Sequence, residues 1–246
     1  MSTSTKDFIS KLSELKKEFK VFVPSVKKEV TASQITLKQQ KDIIATSVNG
    51  VLGALQFTKA VNNLIIENIA NETFYTFDRV PVLLALRVES LGDKIKNEKD
   101  EVVSLNESLE KIKKVPTFKL SEEVKIDSIN VELRIPTLEE ENVILTKSIQ
   151  EMDKLKSEDL SKAMGLIYIF ELIKSVKSVQ VEDELIDFND LKVVDRVKIV
   201  EQLPLELYDN ITSFLSQITK YEEEVLTINE TTIAVDASLL DATTGA

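Results

Sequence analysis

The sequence contains no cysteine and no histidine. Without cysteine, a disulfide framework and thiolate chemistry are both excluded. Without histidine, the chain lacks the commonest protein metal ligand and the usual general base near neutral pH. These absences favour a protein that catalyses no reaction. An enzyme that relies on carboxylates, lysine and tyrosine, as glycosidases rely on carboxylates, is the alternative.

Glycine and proline are also scarce, with five residues of each among 246. Few tight turns are therefore expected, and the abundant leucine, isoleucine, lysine and glutamate favour helices. With 43% hydrophobic and 30% charged residues, the composition is that of an ordinary soluble globular protein. The length suits one large domain or two small ones.

Positive charge is in deficit, and the formal net charge is −11. Such a chain is repelled by nucleic acids and by anionic membrane surfaces, so neither is an expected partner. The longest apolar runs, residues 80–86 and 165–170, are too short to cross a bilayer. Residues 1–7 are polar and precede no apolar segment, so we expect no secretory signal and a place in the cytoplasm.

Motifs for catalysis or cofactor binding are missing from the sequence. It has no phosphate-binding glycine loop, no zinc-ligand pattern and no DxDxDG calcium loop. Acidic runs occur at residues 139–141, 182–184 and 222–224. Consecutive helical residues do not share a face, so these runs are interpreted as helix starts and solvated surfaces. No catalytic residue, cofactor or metal site is predicted.

A short hairpin is predicted near the beginning of the chain. Phe19, Val21 and Val23 alternate with other residues, and Pro24 stops the run. Residues 27–31 can return antiparallel to this strand.

Three helices are predicted after the hairpin. Thr36 and Gln39 have the spacing of a capping box, in which each side chain bonds the other residue's backbone N–H. A second helix is expected over residues 51–70. A third is expected over residues 77–91, with Pro81 in its first turn, where the missing N–H costs little.

The second half of the sequence repeats this order. Two strands are expected near residues 124–126 and 131–135, and the segment TLEEENVIL from Thr137 then matches TLKQQKDII from Thr36. Two later segments also match in the same order, LIIENI with YIFELI and FDRVPVLLALRV with FNDLKVVDRVKI. Together the three matches indicate an internal duplication.

The predicted fold class is mainly α with small β-hairpins (α+β). In this fold a unit of two strands and three helices occurs twice, followed by a C-terminal helix. The predicted bounds are 1–17 for an N-terminal arm or docking helix, 18–92 for the first unit, 93–119 for a charged, exposed connection with a helix near 105–112, 120–203 for the second unit, and 204–246 for the C-terminal helix and tail.

Two amphipathic segments are candidates for contact with a partner protein. Near the N-terminus, apolar residues recur at spacings of four, three and four, which indicates a docking helix or an arm that orders on binding. Residues 205–225 carry a heptad seam that fits either a helix docked on the second unit or a helix that binds a partner. The candidate contact residues are Phe8, Leu12, Leu15, Leu207, Ile211, Phe214, Ile218 and Tyr221.

The hairpin and the first helix also carry a family resemblance. Residues 19–44 (FKVFVPSVKKEVTASQITLKQQKDII) resemble the baseplate hub assembly proteins of T-even-like contractile-tailed bacteriophages. The resemblance rests on the VPS and KKE triplets of the hairpin and on the TLKQQK helix start.

The resemblance implies a non-enzymatic chaperone or assembly factor for the baseplate hub, with no catalytic residues to assign. Its partners would be baseplate hub or tape-measure proteins, met in the host cytoplasm during infection. The alternative is a permanent structural component of the baseplate in the virion.

Overall fold

The computed structural model describes residues 15–48, 50–97, 99–155 and 160–240. Within these residues, eight α-helices combine with one four-stranded sheet and three two-stranded ones, all antiparallel. The strands are β1 (Glu18–Val23), β2 (Lys28–Ser33), β3 (Lys94–Lys96), β4 (Val102–Ser104), β5 (Ser121–Ile126), β6 (Ile129–Arg134), β7 (Val176–Val181), β8 (Glu184–Asp187), β9 (Thr227–Ile228) and β10 (Thr231–Thr232). The helices are α1 (Leu37–Ile44), α2 (Gly50–Asn68), α3 (Arg79–Leu91), α4 (Asn106–Ile112), α5 (Leu138–Met152), α6 (Leu160–Ser175), α7 (Val193–Val200) and α8 (Glu206–Leu226). The predicted α+β class is confirmed.

The first hairpin forms as predicted. Strands β1 and β2 pair antiparallel, with Val21 opposite Val30. In the turn, Lys27 takes a left-handed conformation (φ 51°) and donates its N–H to the Pro24 carbonyl at 3.3 Å. The alternation of the strands places Val21 and Val23 in the core, as a half-buried hairpin requires.

Helix α1 begins at the predicted capping box. The Gln39 N–H donates to Thr36 Oγ1 at 3.3 Å, and the Thr36 N–H donates to Gln39 Oε1 at 3.0 Å. Helix α3 begins two residues later than predicted, with Pro81 in its first turn as expected, and it ends at Leu91 with Gly92 as its C-cap. A φ of 95° at Gly92 is a conformation that residues with a Cβ rarely adopt.

The second half repeats the order of the first half only in part. Strands β5 and β6 lead into α5, which starts with the same capping box at Thr137 and Glu140, and α6 follows. The sequence interpretation missed the next hairpin: α6 ends at Ser175, and β7 starts at the following residue. Strands β7 and β8 extend the sheet to the order β5-β6-β7-β8, and α7 comes after them.

Residues 93–119 are not the exposed connection that their charge predicted. The helix predicted near 105–112 is present as α4, but a β3–β4 hairpin precedes it. Ile95, Val103, Leu105 and Ile112 are all buried in the core of the first half. The charged residues of this segment therefore cover a set of inward-facing apolar ones.

The buried apolar residues form two main clusters. The first core joins β1, β2, α2 and α3 with β3, β4 and α4, and the second core joins β5–β7 with α5 and α6. Helix α8 contributes to both, with Leu207 to Ile218 in the second core and Tyr221 and Val225 in the first. The C-terminal helix therefore links the two halves of the protein.

A buried arginine fixes the segment that follows α8. Arg87 on α3 is 1% exposed, and it donates from Nε to the Leu239 carbonyl and from Nη2 to the Lys94 carbonyl, both at 2.9 Å. Gln40 on α1 donates from Nε2 to the Leu240 carbonyl at 2.7 Å. Within the tail, β10 pairs with β9, and the last residues, 241–246, lie outside the described residues.

Candidate functional site

The predicted contact residues on the last helix lie inside the protein. Leu207, Ile211, Phe214, Ile218 and Tyr221 are all buried, with exposed fractions between 2% and 8%. The heptad seam therefore docks α8 on the chain itself, and it docks on both halves rather than on the second unit alone. A partner could reach these side chains only after α8 had separated from both cores.

Of the three candidate contact residues near the N-terminus, Leu15 lies within the described residues. The last apolar residue of the predicted N-terminal face, Phe19, is part of β1 and packs against the first core. Leu15 is 78% exposed, so its side chain is available to a partner. Phe8 and Leu12 lie outside the described residues.

The hairpin that sequence reasoning missed carries the densest group of exposed apolar side chains in the described chain. Val181 is 44% exposed, Leu185 is 65% exposed and Ile186 is 40% exposed. Within the described ranges strand β8 pairs only with β7, with Glu184 opposite Val181 and Ile186 opposite Val179. The alternation of hydrophobic and other residues in this segment was the signal that could have revealed the two strands.

The same hairpin is strongly acidic. Glu182, Asp183, Glu184, Asp187 and Asp190 lie within nine residues that contain no lysine or arginine. The hairpin end is held in place by the residue after β8, because Phe188 is fully buried in the second core. The Asn189 N–H also donates to the Asp187 carboxylate at 2.7 Å.

A buried group of charges joins the two halves of the protein. Glu141 on α5 is 2% exposed. It accepts a hydrogen bond from Asn62 on α2 at 2.8 Å and pairs with Lys174 on α6 at 3.1 Å, and it also pairs with Arg79 on α3. Burial acts to raise the pKa of Glu141, but the charges of Arg79 and Lys174 and the Asn62 bond outweigh it and lower the pKa to about 2.

Two of the acidic runs thus contain a residue that is withdrawn from solvent, contrary to the sequence interpretation: Glu141 is buried and Glu222 is half-buried. Glu141 has the contacts just described. Glu222 on α8 lies beside a cavity of about 160 Å³ that Arg79 and Lys174 also line. Burial raises the pKa of Glu222 to about 7, and the Arg79 charge only partly counteracts it. The third run, residues 182–184, is exposed but forms a turn and the start of β8 instead of a helix start.

A second buried carboxyl fixes the start of α3. Asp78 is fully buried and accepts the N–H groups of Ser25, in the β1–β2 turn, and of Tyr75, both at 2.8 Å. Burial raises its pKa to about 6, although these hydrogen bonds act in the opposite direction. Asp78 therefore connects the first hairpin to the helices behind it.

Replacing Glu222 by glutamine is expected to make the protein more stable at pH 8. A carboxyl whose pKa is raised in the folded state stabilises the fold below its ordinary pKa, and that stability is lost as the pH rises through the folded-state value. For Glu222 this window runs from about 4.5 to about 7. Glu222→Gln should gain about 2–3 kcal/mol at pH 8 and almost nothing at pH 4.5, measured by urea unfolding.

The matched control for this prediction is Glu223→Gln, since Glu223 is the exposed neighbour on the same helix. It should change stability by less than about 0.5 kcal/mol at either pH. An equal gain from Glu222→Gln at both pH values would contradict the prediction. Asp78 remains in the variant and should leave part of the pH dependence in place.

These groups hold helices together. Over the residues that the structure describes, no cluster of three or more Asp or Glu side chains is arranged to hold a metal ion. Within the same ranges, no helix has both the length and the apolar character of a membrane span. What the described surface does offer is an exposed, acidic sheet edge, which is a feature of protein-binding surfaces.

Comparison with known proteins identifies the family. The family of the T4 bacteriophage base plate protein matches residues 16–233, which is most of the chain. The chain belongs to this family, and the baseplate part of the resemblance noted from the hairpin is confirmed. No curated protein and no solved structure matches the chain.

Proposed function

We propose that this protein is a non-enzymatic assembly factor for the baseplate hub of a contractile phage tail, and that it acts by binding other tail proteins. Its partners would be hub or tape-measure proteins in the host cytoplasm. The observation that carries the proposal is the match to the phage baseplate family over residues 16–233. The hub role itself rests on the resemblance of residues 19–44.

Two features of the described surface support a binding role. Apolar side chains at β8 are exposed, and exposed apolar groups rimmed by polar residues are typical of protein interaction sites. The net charge of −11 also favours basic protein partners and steers them to the surface. An assembly factor could use its exposed apolar side chains and its negative charge to cover an aggregation-prone surface of a hub component until assembly.

A permanent structural role in the virion baseplate is the second candidate. It is favoured by the family description, which names a base plate protein. It is also favoured by the buried contacts of α8 and Arg87, which give one firmly connected body suited to a lasting part of a particle. The two roles differ in whether the protein remains in the mature particle.

The deciding experiment is to tag the protein in its native infection and to analyse two samples by mass spectrometry. The first is the pull-down from infected lysate, and the second is purified mature particles. Hub proteins in the pull-down, with the tagged protein missing from particles, would support the assembly factor. Stoichiometric tagged protein in particles would support the structural component.

An infection with the untagged protein serves as the control for non-specific capture. If neither sample contains tail proteins with the tagged protein, the proposed function is overturned. A pull-down that contains tail proteins other than hub or tape-measure proteins would overturn the partner assignment alone.

A further inference from the structure

We propose that the free edge of β8 receives an extended, lysine- or arginine-rich segment of a partner protein, which adds to the sheet as a fifth strand. The proposal rests on the proposed function in one respect, namely that the chain acts by binding proteins. It goes further by naming the surface and the chemistry of the segment that this surface accepts.

Among the described residues, no strand lies beside the outer backbone edge of β8. The sheet order β5-β6-β7-β8 places β8 at one end. In a hairpin with a two-residue turn, the two residues that flank the turn, here Val181 and Glu184, exchange backbone hydrogen bonds. Hydrogen-bonded pairs alternate with non-bonded pairs along antiparallel strands, so Val179 and Ile186 also exchange backbone hydrogen bonds. Leu185 therefore directs its N–H and C=O groups away from β7, and Asp187 directs its N–H the same way, where another strand can bond them. The Asp187 carbonyl belongs to the short 3-10 turn over Phe188–Asp190, for which Asp187 is the N-cap.

The opposite edge of the sheet differs from this one. Next to β5, the backbone of Lys119 is bonded by a side chain from α8, because its N–H donates to Gln217 Oε1 at 2.8 Å and its carbonyl accepts from Gln217 Nε2 at 3.0 Å. Helix α8 thus lies close to the beginning of that edge.

The side chains at the β8 edge are of the kind that an added strand would cover. Leu185 lies on one face of the sheet and is 65% exposed, while Ile186 lies on the other face and is 40% exposed. Proteins usually protect edge strands with charged side chains, especially lysine, or with proline. Here the central residues of the edge strand are both large and apolar, which suits a strand partner whose own apolar side chains alternate.

Charge selects a basic partner over a second copy of this chain. Among the described residues, Glu182, Asp183 and Glu184 form no ion pair within 4.0 Å. Asp187 is different, because Arg196 and Lys177 lie close enough to interact with it. Two copies paired through β8 would bring acidic residues of both copies together in either strand orientation, because both ends of β8 are acidic. Lysine or arginine residues on a partner strand would instead neutralise these charges.

The probe for this site is a synthetic ten-residue peptide of alternating lysine and valine. Binding is measured by calorimetry at low salt, and hydrogen exchange follows the amides of residues 184–187. We expect the peptide to bind and to slow exchange at Leu185. A peptide of alternating glutamate and valine should not bind, and neither should a lysine–valine peptide whose backbone nitrogens are methylated on the bonding side.

Two variants locate the binding at β8. Leu185→Pro removes the outward backbone N–H and the leucine side chain, and Glu184→Lys reverses the charge of residue 184. Each variant should bind the peptide at least about tenfold more weakly, which is the effect of losing one or two hydrogen bonds or a charge pair. Glu123→Lys is the matched control, since Glu123 is exposed on β5 at the other edge of the same sheet, and it should bind like the unmodified protein.

The outcomes separate this proposal from the proposed function. Equal binding of both lysine–valine peptides, or loss of binding in Glu123→Lys as well, would reduce the effect to unspecific charge attraction and overturn the proposal. Protection of Leu185 that grows with protein concentration and needs no peptide would instead assign the edge to a second copy. If Leu185→Pro fails to fold, Glu184→Lys and the methylated peptide decide the question.

The same variants also bear on the infection experiment. Capture of hub proteins that is unchanged in Leu185→Pro and Glu184→Lys would overturn the role of the β8 edge and leave the proposed function standing. Failure of the unmodified protein to capture any tail protein would overturn the function, and the peptide measurement would still show whether the edge accepts a strand.

Discussion

Replacing Ile211 and Ile218 together by aspartate is expected to unfold the protein. Both side chains are buried in the second core, and loss of each large apolar group costs about 2–5 kcal/mol. The new carboxylates would add a desolvation penalty, because their neighbours in that core are apolar. The total is comparable to the whole stability of a typical domain, about 5–15 kcal/mol. Circular dichroism and thermal unfolding would detect the loss of structure.

The control for this experiment carries the same added charge on the solvent side of the helix. Thr212 and Ser213 are exposed neighbours, so Thr212→Asp with Ser213→Asp should keep a cooperative transition close to that of the unmodified protein. A folded Ile211/Ile218 double variant that lost only its partner would show that the heptad seam is an interface after all.

Replacing Glu141 by glutamine is expected to cost about 3–5 kcal/mol, the usual result of breaking a buried ion pair from one side. Glutamine has nearly the same shape but leaves Arg79 and Lys174 without the carboxylate between them. Because the pKa of Glu141 is lowered, its contribution is complete above about pH 4.5 and is lost as the pH falls towards about 2. Urea unfolding at pH 7 and pH 3 would measure both effects.

Lys174 also supplies the control for this prediction. It forms a second ion pair, at 2.6 Å, with Glu171, whose side chain is 54% exposed. Because exposed pairs contribute little, Glu171→Gln should cost less than about 1 kcal/mol. Losses of similar size from Glu141→Gln and Glu171→Gln would contradict the importance assigned to burial. A Glu141→Gln loss that is as large at pH 3 as at pH 7 would contradict the ionisation argument.

Local signals explain which parts of the fold were predictable. The capping boxes at Thr36 and Thr137 act between residues three positions apart, so their spacing is visible in the sequence. The seam of α8 was also visible, but periodicity alone does not say whether an apolar face covers the chain itself or a partner. That answer depends on the two cores, which are assembled from residues far apart in the sequence.

The spacing of apolar residues around Glu141 predicts that this residue is buried. It lies three residues after Leu138 and four before Leu145, and both of these are buried, so all three share the inward face of α5. Its partners Asn62, Arg79 and Lys174 could not be found in the same way, because they come from three other helices.

The β7–β8 hairpin was missed for a different reason. The matches between the two halves predict a helix near residue 168 and another near residue 188, with no strand between them. The second half has two extra strands, β7 and β8, between these helices. A comparison of the two halves cannot predict a segment that only one of them contains. The exposed edge of β8 then follows only from the strand order, which no local pattern specifies.

The position of α8 has a consequence for the synthesis of the protein. A ribosome adds residues from the N-terminus at about 5–20 per second, and domains that are complete can fold as they emerge. Here neither core is complete until residues 207–225 have been made, because both require side chains from that helix. The nascent chain must therefore keep apolar surface of both cores uncovered until residues 207–225 have left the ribosome.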